Sequence, residues 1–298
     1  MATTLLSDSE RIFIIHGVED NLRCDGRSCL EYRHIEMELG AAPNCSGSSH
    51  VRIANTDVLV GIKVNYSRSR VSIEIGAPEP SAPDSGRIEF FVDFTANADP
   101  EFEGSGGDDL GQQIAGALSE AYVSKRFLDL SSLCIVSGQQ VWTLYVDVLI
   151  LELGGSLYDA VSVAVKAALR DLRIPRLSVS IGEDGRPEIE VSDDPHAVDP
   201  LEMGLVPCFV TLSKIGSQFV VDVSQEEAEC TTVHLCCAVA PNGRIATTMK
   251  NGVGSLHTHN LIEALQLAQE IGVALHKALD KRLVKAQELS GRTNGFLL

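Results

Sequence analysis

Gly154-Gly155-Ser156 stands between an apolar strand-like run and a run with helical spacing that begins at the serine. A strand, a glycine turn and a helix N-terminus in that order make an anion site. The first N–H groups of the helix have no partner within it and point outward, and the helix dipole adds partial positive charge. A second group that could do chemistry is the carboxylate cluster Asp222, Glu226, Glu227 and Glu229, a residue type suited to general-acid work or to holding a metal. A third is Arg68 and Arg70 in Tyr66-Ser67-Arg68-Ser69-Arg70, a local basic spot in an acidic sequence. Such side chains hold passing phosphates without reading sequence if they face a channel, and are otherwise solvated loop arginines. His257-x-His259 has metal-pair spacing but no nearby acid or thiol, so it reads as a loop at a helix start, and no metal is expected. Cys236-Cys237 lies in a strand, where neighbouring side chains point to opposite faces, so it is not a chelate. No G-x-x-x-x-G-K, G-x-S-x-G or strand-borne G-x-G-x-x-G occurs, and no cofactor is expected.

Elements must position these groups. Ser7-Asp8-Ser9-Glu10 is a capping box that opens a short N-terminal helix, with Gly17 as its stop. Asp25-Gly26-Arg27 is a turn. Strand-like runs cover 32–39, 50–53, 57–66 and 88–94, and the polar, proline-bearing stretch 68–86 is a long loop. Asp108 and Asp109 cap a helix with Leu110, Ile114, Leu118 and Ala121 on one face. The helix from Ser156 is apolar almost all round, with one polar stripe of Asp159, Ser162, Lys166 and Arg170, which predicts burial against a sheet with one edge wet. An acidic linker at 193–200 divides the chain into subdomains 1–192 and 193–298. In the second, strands cover 207–215, 219–223, 231–240 and 245–249, Asn242-Gly243 makes a hairpin turn, and a long helix follows Gly254-Ser255. The class is α/β (α+β): mixed sheets packed with helices.

The 298 residues suffice for one large or two modest cores. No apolar run reaches the roughly 18 residues of a membrane span, and the N-terminal residues lack the pattern of a signal peptide, so no membrane is expected. The eight cysteines form no C-x-x-C and read as reduced core thiols. A net charge of −17 argues against a free-standing nucleic-acid binder, because phosphate contacts need a basic footprint. It leaves room for one basic loop in a channel built with partners.

Several segments resemble the RNase PH family, whose active members cleave RNA with inorganic phosphate. They are Ala54-Asn55-Thr56-Asp57-Val58-Leu59-Val60-Gly61, Glu89-Phe90-Phe91-Val92-Asp93, Pro100-Glu101-Phe102-Glu103-Gly104, Trp142-Thr143-Leu144-Tyr145-Val146-Asp147, the glycine turn through Ala160, and Gly295-Phe296-Leu297. The resemblance covers nearly the whole chain and implies the RNase PH-like, ring-forming fold. In active members the turn reads Gly-Gly-(Ser/Thr)-Arg and the Arg clamps phosphate; here that position is Leu157, a hydrocarbon in place of a five-donor fork. Ser156 and Leu157 are thus the positions of a degenerate phosphate site. The family's acidic run, roughly Asp-x-Asp-Tyr-x-Glu-Asp, is here Asp222-Val223-Ser224-Gln225-Glu226-Glu227-Ala228, with Ser224 and Ala228 at two acid positions. Where active members place RNA-holding arginines, this chain has Glu101, Glu103, Asp108 and Asp109. What the resemblance implies is a non-catalytic subunit of the RNA exosome ring. Its partners would be other RNase PH-type subunits, cap subunits and an associated nuclease. RNA would run in the central channel, where Arg68 and Arg70 are the candidate contacts. The implied location is the nucleus, nucleolus and cytoplasm. The alternative is an active phosphate-dependent 3'-to-5' exoribonuclease.

Overall fold

The computed structural model describes residues 6–64, 84–98, 102, 106–122, 127–137, 140–181, 187–192, 194 and 197–290. The elements in chain order are α1 (Asp8–Glu19), β1 (Ile35–Leu39), β2 (Gly47–Ile53), β3 (Thr56–Val64), β4 (Arg87–Phe94), α2 (Asp108–Tyr122), β5 (Cys134–Val136), β6 (Gln140–Val141), β7 (Thr143–Glu152), α3 (Leu157–Asp171), β8 (Arg173–Pro175), β9 (Leu177–Ile181), β10 (Pro187–Val191), β11 (Val198–Pro200), β12 (Cys208–Ile215), β13 (Gln218–Val221), α4 (Gln225–Glu229), β14 (Val233–Val239), β15 (Ile245–Asn251) and α5 (Thr258–Ser290).

Two main sheets sandwich one helix. The first has the order β1-β2-β3-β7-β4, the second β13-β12-β14-β15. In the first, only β4 runs parallel to its neighbour, β7. The second is antiparallel throughout. Helix α3 packs on β2 and β3 from one side and on β12 from the other. Contact with two sheets is why its residues from Ala160 to Leu169 are all buried, as the all-round apolar pattern requires. Asp159, Ser162 and Lys166, the stripe expected at a wet edge, are buried too; of the four only Arg170 is exposed. Each buried member has a partner. Ser162 Oγ accepts from Phe209 N at 2.9 Å, and Lys166 Nζ meets His276 Nδ1 of α5 at 2.7 Å and Asp280 at 3.1 Å. The largest apolar core takes residues from both sheets and from α2, α3 and α5, and two smaller clusters lie around Val18, Ile215 and Val220 and around Leu39, Ala167 and Leu283.

Some boundaries differ from the sequence reading. Gly17 does not stop α1, which runs to Glu19. The close approach is what needs glycine there: a Cβ would lie 2.7 Å from the Leu22 carbonyl oxygen, and Leu22 N–H donates to Gly17 O at 2.8 Å. The first strand opens at Ile35 rather than 32. The second opens at Gly47, where Gly47–Ser49 pair with Val60–Ile62. Within the stretch 193–200 that reads as a linker, Val198–Pro200 pairs with Arg173–Pro175, and β9 and β10 form a hairpin beside it. Strands β8 and β11 are three residues long, too short to carry a pattern, whereas β9 (Leu177–Ile181) and β10 (Pro187–Val191) alternate apolar and polar residues, a strand signal that the sequence reading passes over. The Asn242-Gly243 hairpin forms with Gly243 at φ +79°. The eight cysteines are free, and Cys208, Cys236 and Cys237 are buried, which pushes each thiol up to about 12. Among the described residues no helix is long and apolar enough to cross a membrane.

Candidate functional site

Strand β7 delivers the chain to the glycine turn, and the turn is built too tightly for side chains. A Cβ at Gly154 would stand 2.6 Å from Asn55 Cβ. At Gly155, with φ +103°, it would stand 2.2 Å from the Val223 carbonyl oxygen. Thr56 Oγ1 pins both glycines, accepting from Gly154 N at 3.1 Å and donating to Gly155 O at 2.7 Å. Ser156 follows in the left-handed region (φ 45°, ψ 46°) and makes no side-chain cap. Its Oγ is buried and has no hydrogen-bond partner among the described residues. Helix α3 then starts at Leu157, which is 7% exposed.

The N-terminus of α3 opens on a cavity of about 560 Å³. Ser156, Leu157 and Tyr158 line one side, Leu110 and Gln113 of α2 another, and Thr211, His234, Cys236 and Asn251 of the second sheet the floor. Val223, Gln225, Ala228 and Glu229 close it from the α4 side. The floor is one sheet face. Thr211 pairs with Cys236, Ser213 with His234, and His234 with Asn251 across the ladders. Among the described lining residues none is Arg or Lys. The predicted pair Ser156 and Leu157 therefore sits at the cavity. Asp108 and Asp109 occupy the first turn of the helix whose next residues line it. Glu101, Glu103, Arg68 and Arg70 lie outside the described residues.

The acidic cluster does not converge. Asp222 is fully buried and turned away from the cavity, at φ +49°. Arg33 takes it bidentately, Nη2 to Oδ1 at 2.7 Å and Nε to Oδ2 at 2.9 Å, and Arg33 N–H adds a third bond at 2.7 Å. Arg27 Nη1 donates to Oδ2 at 3.1 Å. Arg33 also donates to Gly154 O at 2.7 Å, so one guanidinium ties the acid to the glycine turn. Glu227 is buried as well. It completes a capping box with Ser224 over α4 and receives both arms of Arg23, whose remaining donors reach Val221 O and Asp222 O. Glu226 is exposed, and only Glu229 lines the cavity. His257 and His259 are exposed at the start of α5. Among the described residues no group of three or more His, Cys, Asp or Glu could hold a metal.

Sequence reasoning did not place two further groups at the cavity. Asp159 lies beneath the cavity floor, fully buried, and accepts from Thr211 Oγ1 at 2.6 Å and Tyr32 Oη at 2.9 Å. Burial pushes its carboxyl up to about 7, against the pull of those hydrogen bonds. His234 is held through Nδ1 to Ser213 Oγ at 2.8 Å, and burial lowers its pKa, so it stays neutral near pH 7. The alternation Thr211, Ser213 and His234, Cys236 was the available signal for one shared face. Nothing in the sequence links Arg33 to Asp222, which lie 189 residues apart.

Comparison with known proteins agrees with this geometry. Residues 31–175 match the 3' exoribonuclease family, domain 1, and residues 206–271 match domain 2 of the same family. A Methanothermobacter thermautotrophicus protein, exosome complex component Rrp42, is 33% identical over 279 residues, 94% of this chain and 97% of its own. A Dictyostelium discoideum protein, provisionally designated exosome complex exonuclease RRP42, is 32% identical over 93% of this chain and 98% of its own. The solved Archaeoglobus fulgidus exosome with RNA bound to the active site is similar with a TM-score of 0.74 and 26% identity, over 91% of this chain and 98% of that one. With both domains in order along one chain, and the glycine turn of the first facing the sheet of the second, this chain belongs to the 3' exoribonuclease (RNase PH) family.

Proposed function

We propose that this chain is a non-catalytic subunit of an RNA exosome ring, which scaffolds RNase PH-type neighbours and helps thread RNA for 3'-to-5' processing and degradation. One observation carries the reading. The cavity at the family's phosphate turn presents Leu157, and no Arg or Lys among its described lining residues, to the place where phosphate would attack. Phosphorolysis needs that anion bound and oriented, and a helix terminus without a guanidinium or ammonium does not supply the clamp. The acid that would serve it, Asp222, is occupied by Arg27 and Arg33. The names of the relatives support the assembly. The Methanothermobacter protein is an exosome complex component, and the Archaeoglobus structure is an exosome holding RNA.

The same reading supplies partners: other RNase PH-type subunits, cap subunits and a separate nuclease. It also supplies a location where exosomes act, the nucleus with its nucleolus and the cytoplasm. It keeps the division of the chain at 192/193, which the two family matches flank. Arg68 and Arg70 are its candidate RNA contacts in the channel. Co-expression with RNase PH-type exosome subunits tests the assembly. The chain is expected to elute with them as one larger complex, and a monomer that joins none of them would contradict the proposal.

A further inference from the structure

We propose that the cavity at the N-terminus of α3 binds an uncharged nucleobase, in the place where active relatives would bind phosphate. The inference rests on the reading of this site as one without phosphate chemistry, and not on ring assembly. Three observations carry it.

The first is size and wall chemistry. About 560 Å³ accommodates a base with its ribose, and the volume lies within the range of small-molecule sites. Leu110, Leu153, Leu157 and Val223 supply apolar walls against which a flat ring packs. Tyr158 is held in place by a hydrogen bond with Asn251 and an edge contact with Phe209 at 6.1 Å between ring centres.

The second is charge. The described lining offers no cation to pair with an anion, and the carboxylate of Glu229 offsets the partial positive charge at the N-terminus of α3, so an anion gains little on entering. A neutral ring needs no such partner.

The third is unused hydrogen-bonding capacity. Gln113 and Gln225 line the cavity, are solvent-exposed, and make no side-chain hydrogen bond among the described residues. Each amide offers a donor and an acceptor, which is what the edge of a base presents. His234 is neutral and anchored through Nδ1, leaving Nε2 available. Ser156 Oγ is buried beside them without a partner. A buried hydroxyl without a partner is costly, and a ligand group would satisfy it.

The test is calorimetric titration of the purified chain with adenosine and uridine, and with their 5'-monophosphates. Both nucleosides are expected to saturate, and the monophosphates to bind about tenfold more weakly. Gln113→Leu, a change at an exposed position, should weaken the nucleosides about fivefold. Leu157→Arg should reverse the preference in favour of the monophosphates. Should that variant fail to fold, Gln113→Leu still decides the matter. A nucleoside displaced by single-stranded RNA would identify a strand's terminal base as the natural occupant; a nucleoside that RNA does not displace would identify a free nucleoside. Either supports base binding. No saturation by any nucleoside, monophosphates binding as tightly as nucleosides to the unaltered chain, or no effect of Gln113→Leu would each overturn it. Ring assembly and phosphorolysis are separate measurements, so a failure here leaves the functional proposal standing.

Discussion

Asp222 shows why residue type alone misleads. In the sequence it heads a run of acids that reads as a remnant of catalysis. In the fold it is a fully buried anion shared by Arg27 and Arg33, and Arg33 passes the constraint on to Gly154. Arg33→Ala should cost about 3 to 5 kcal/mol, because it strips a buried carboxylate of its bidentate partner. Arg33→Lys should recover only part of this, since an ammonium lacks the fork. Urea denaturation of both variants checks it, and a loss under about 1 kcal/mol for Arg33→Ala would contradict the role. Asp159 gives a pH-dependent prediction. Its carboxyl titrates at about 7 in the fold and near the ordinary 3.8 when unfolded. Between these values the folded state holds a proton that the unfolded state has released, so this group's contribution is lost as pH rises from about 4 to 7. His276 works in the opposite direction. Burial, aided by Lys166, lowers it to about 4 from 6.5, so its contribution is lost as pH falls through that window. Comparing Asp159→Asn with the unaltered chain cancels the histidine. The difference in Tm should move in favour of the variant as pH rises from 4.5 to 7.5, and a flat difference would contradict the shift. The sequence showed Asp159 on a polar stripe but not that two sheets would cover it.

At the scale of elements, the turn between β7 and α3 was legible because its signals are local. An apolar strand, two glycines and a helical apolar pattern follow one another within a few residues. The capping box at Ser7 is equally local, and it forms; the one at Ser224, whose Glu227 the sequence offered only as an acid, is found in the structure. Less legible were β8 and β11, three-residue strands that pair across the intervening β9–β10 hairpin, and the exact start of β2, which its neighbour β3 decides. The turn yields a sharp test. Gly155→Ala puts a methyl group 2.2 Å from the Val223 carbonyl at a φ of +103°, and should cost about 3 kcal/mol. Gly116→Ala is the control. Nothing lies within 4 Å of a Cβ there, so in the middle of α2 it should be neutral or stabilising by up to about 1 kcal/mol. Chemical denaturation of the pair compares them directly, and equal effects would show that the turn does not need glycine.

At the scale of the whole molecule, the two sheets share one helix and one core, so the cavity between the halves is as fixed as the fold itself. The family and the two-sheet architecture were readable because the family's motifs are contiguous strings. The cavity was not, because its lining comes from six separate elements and the loops beside them, which only the fold brings together. A charge of −17 with Arg68 and Arg70 as a local exception predicts weak RNA binding by the isolated chain. Within an assembled ring, changing both arginines to Glu should weaken RNA protection from nuclease, more at low salt than at high, and leave assembly intact. Unchanged protection at low salt would remove them from the RNA path. The central claim, that this member of an exoribonuclease family does not itself cleave RNA, has a direct measurement. The purified chain is incubated with end-labelled single-stranded RNA, with and without inorganic phosphate, and released nucleoside diphosphate is quantified. The expected result is no phosphate-dependent release above background; phosphate-dependent shortening from the 3' end with matching release of nucleoside diphosphates would contradict the account.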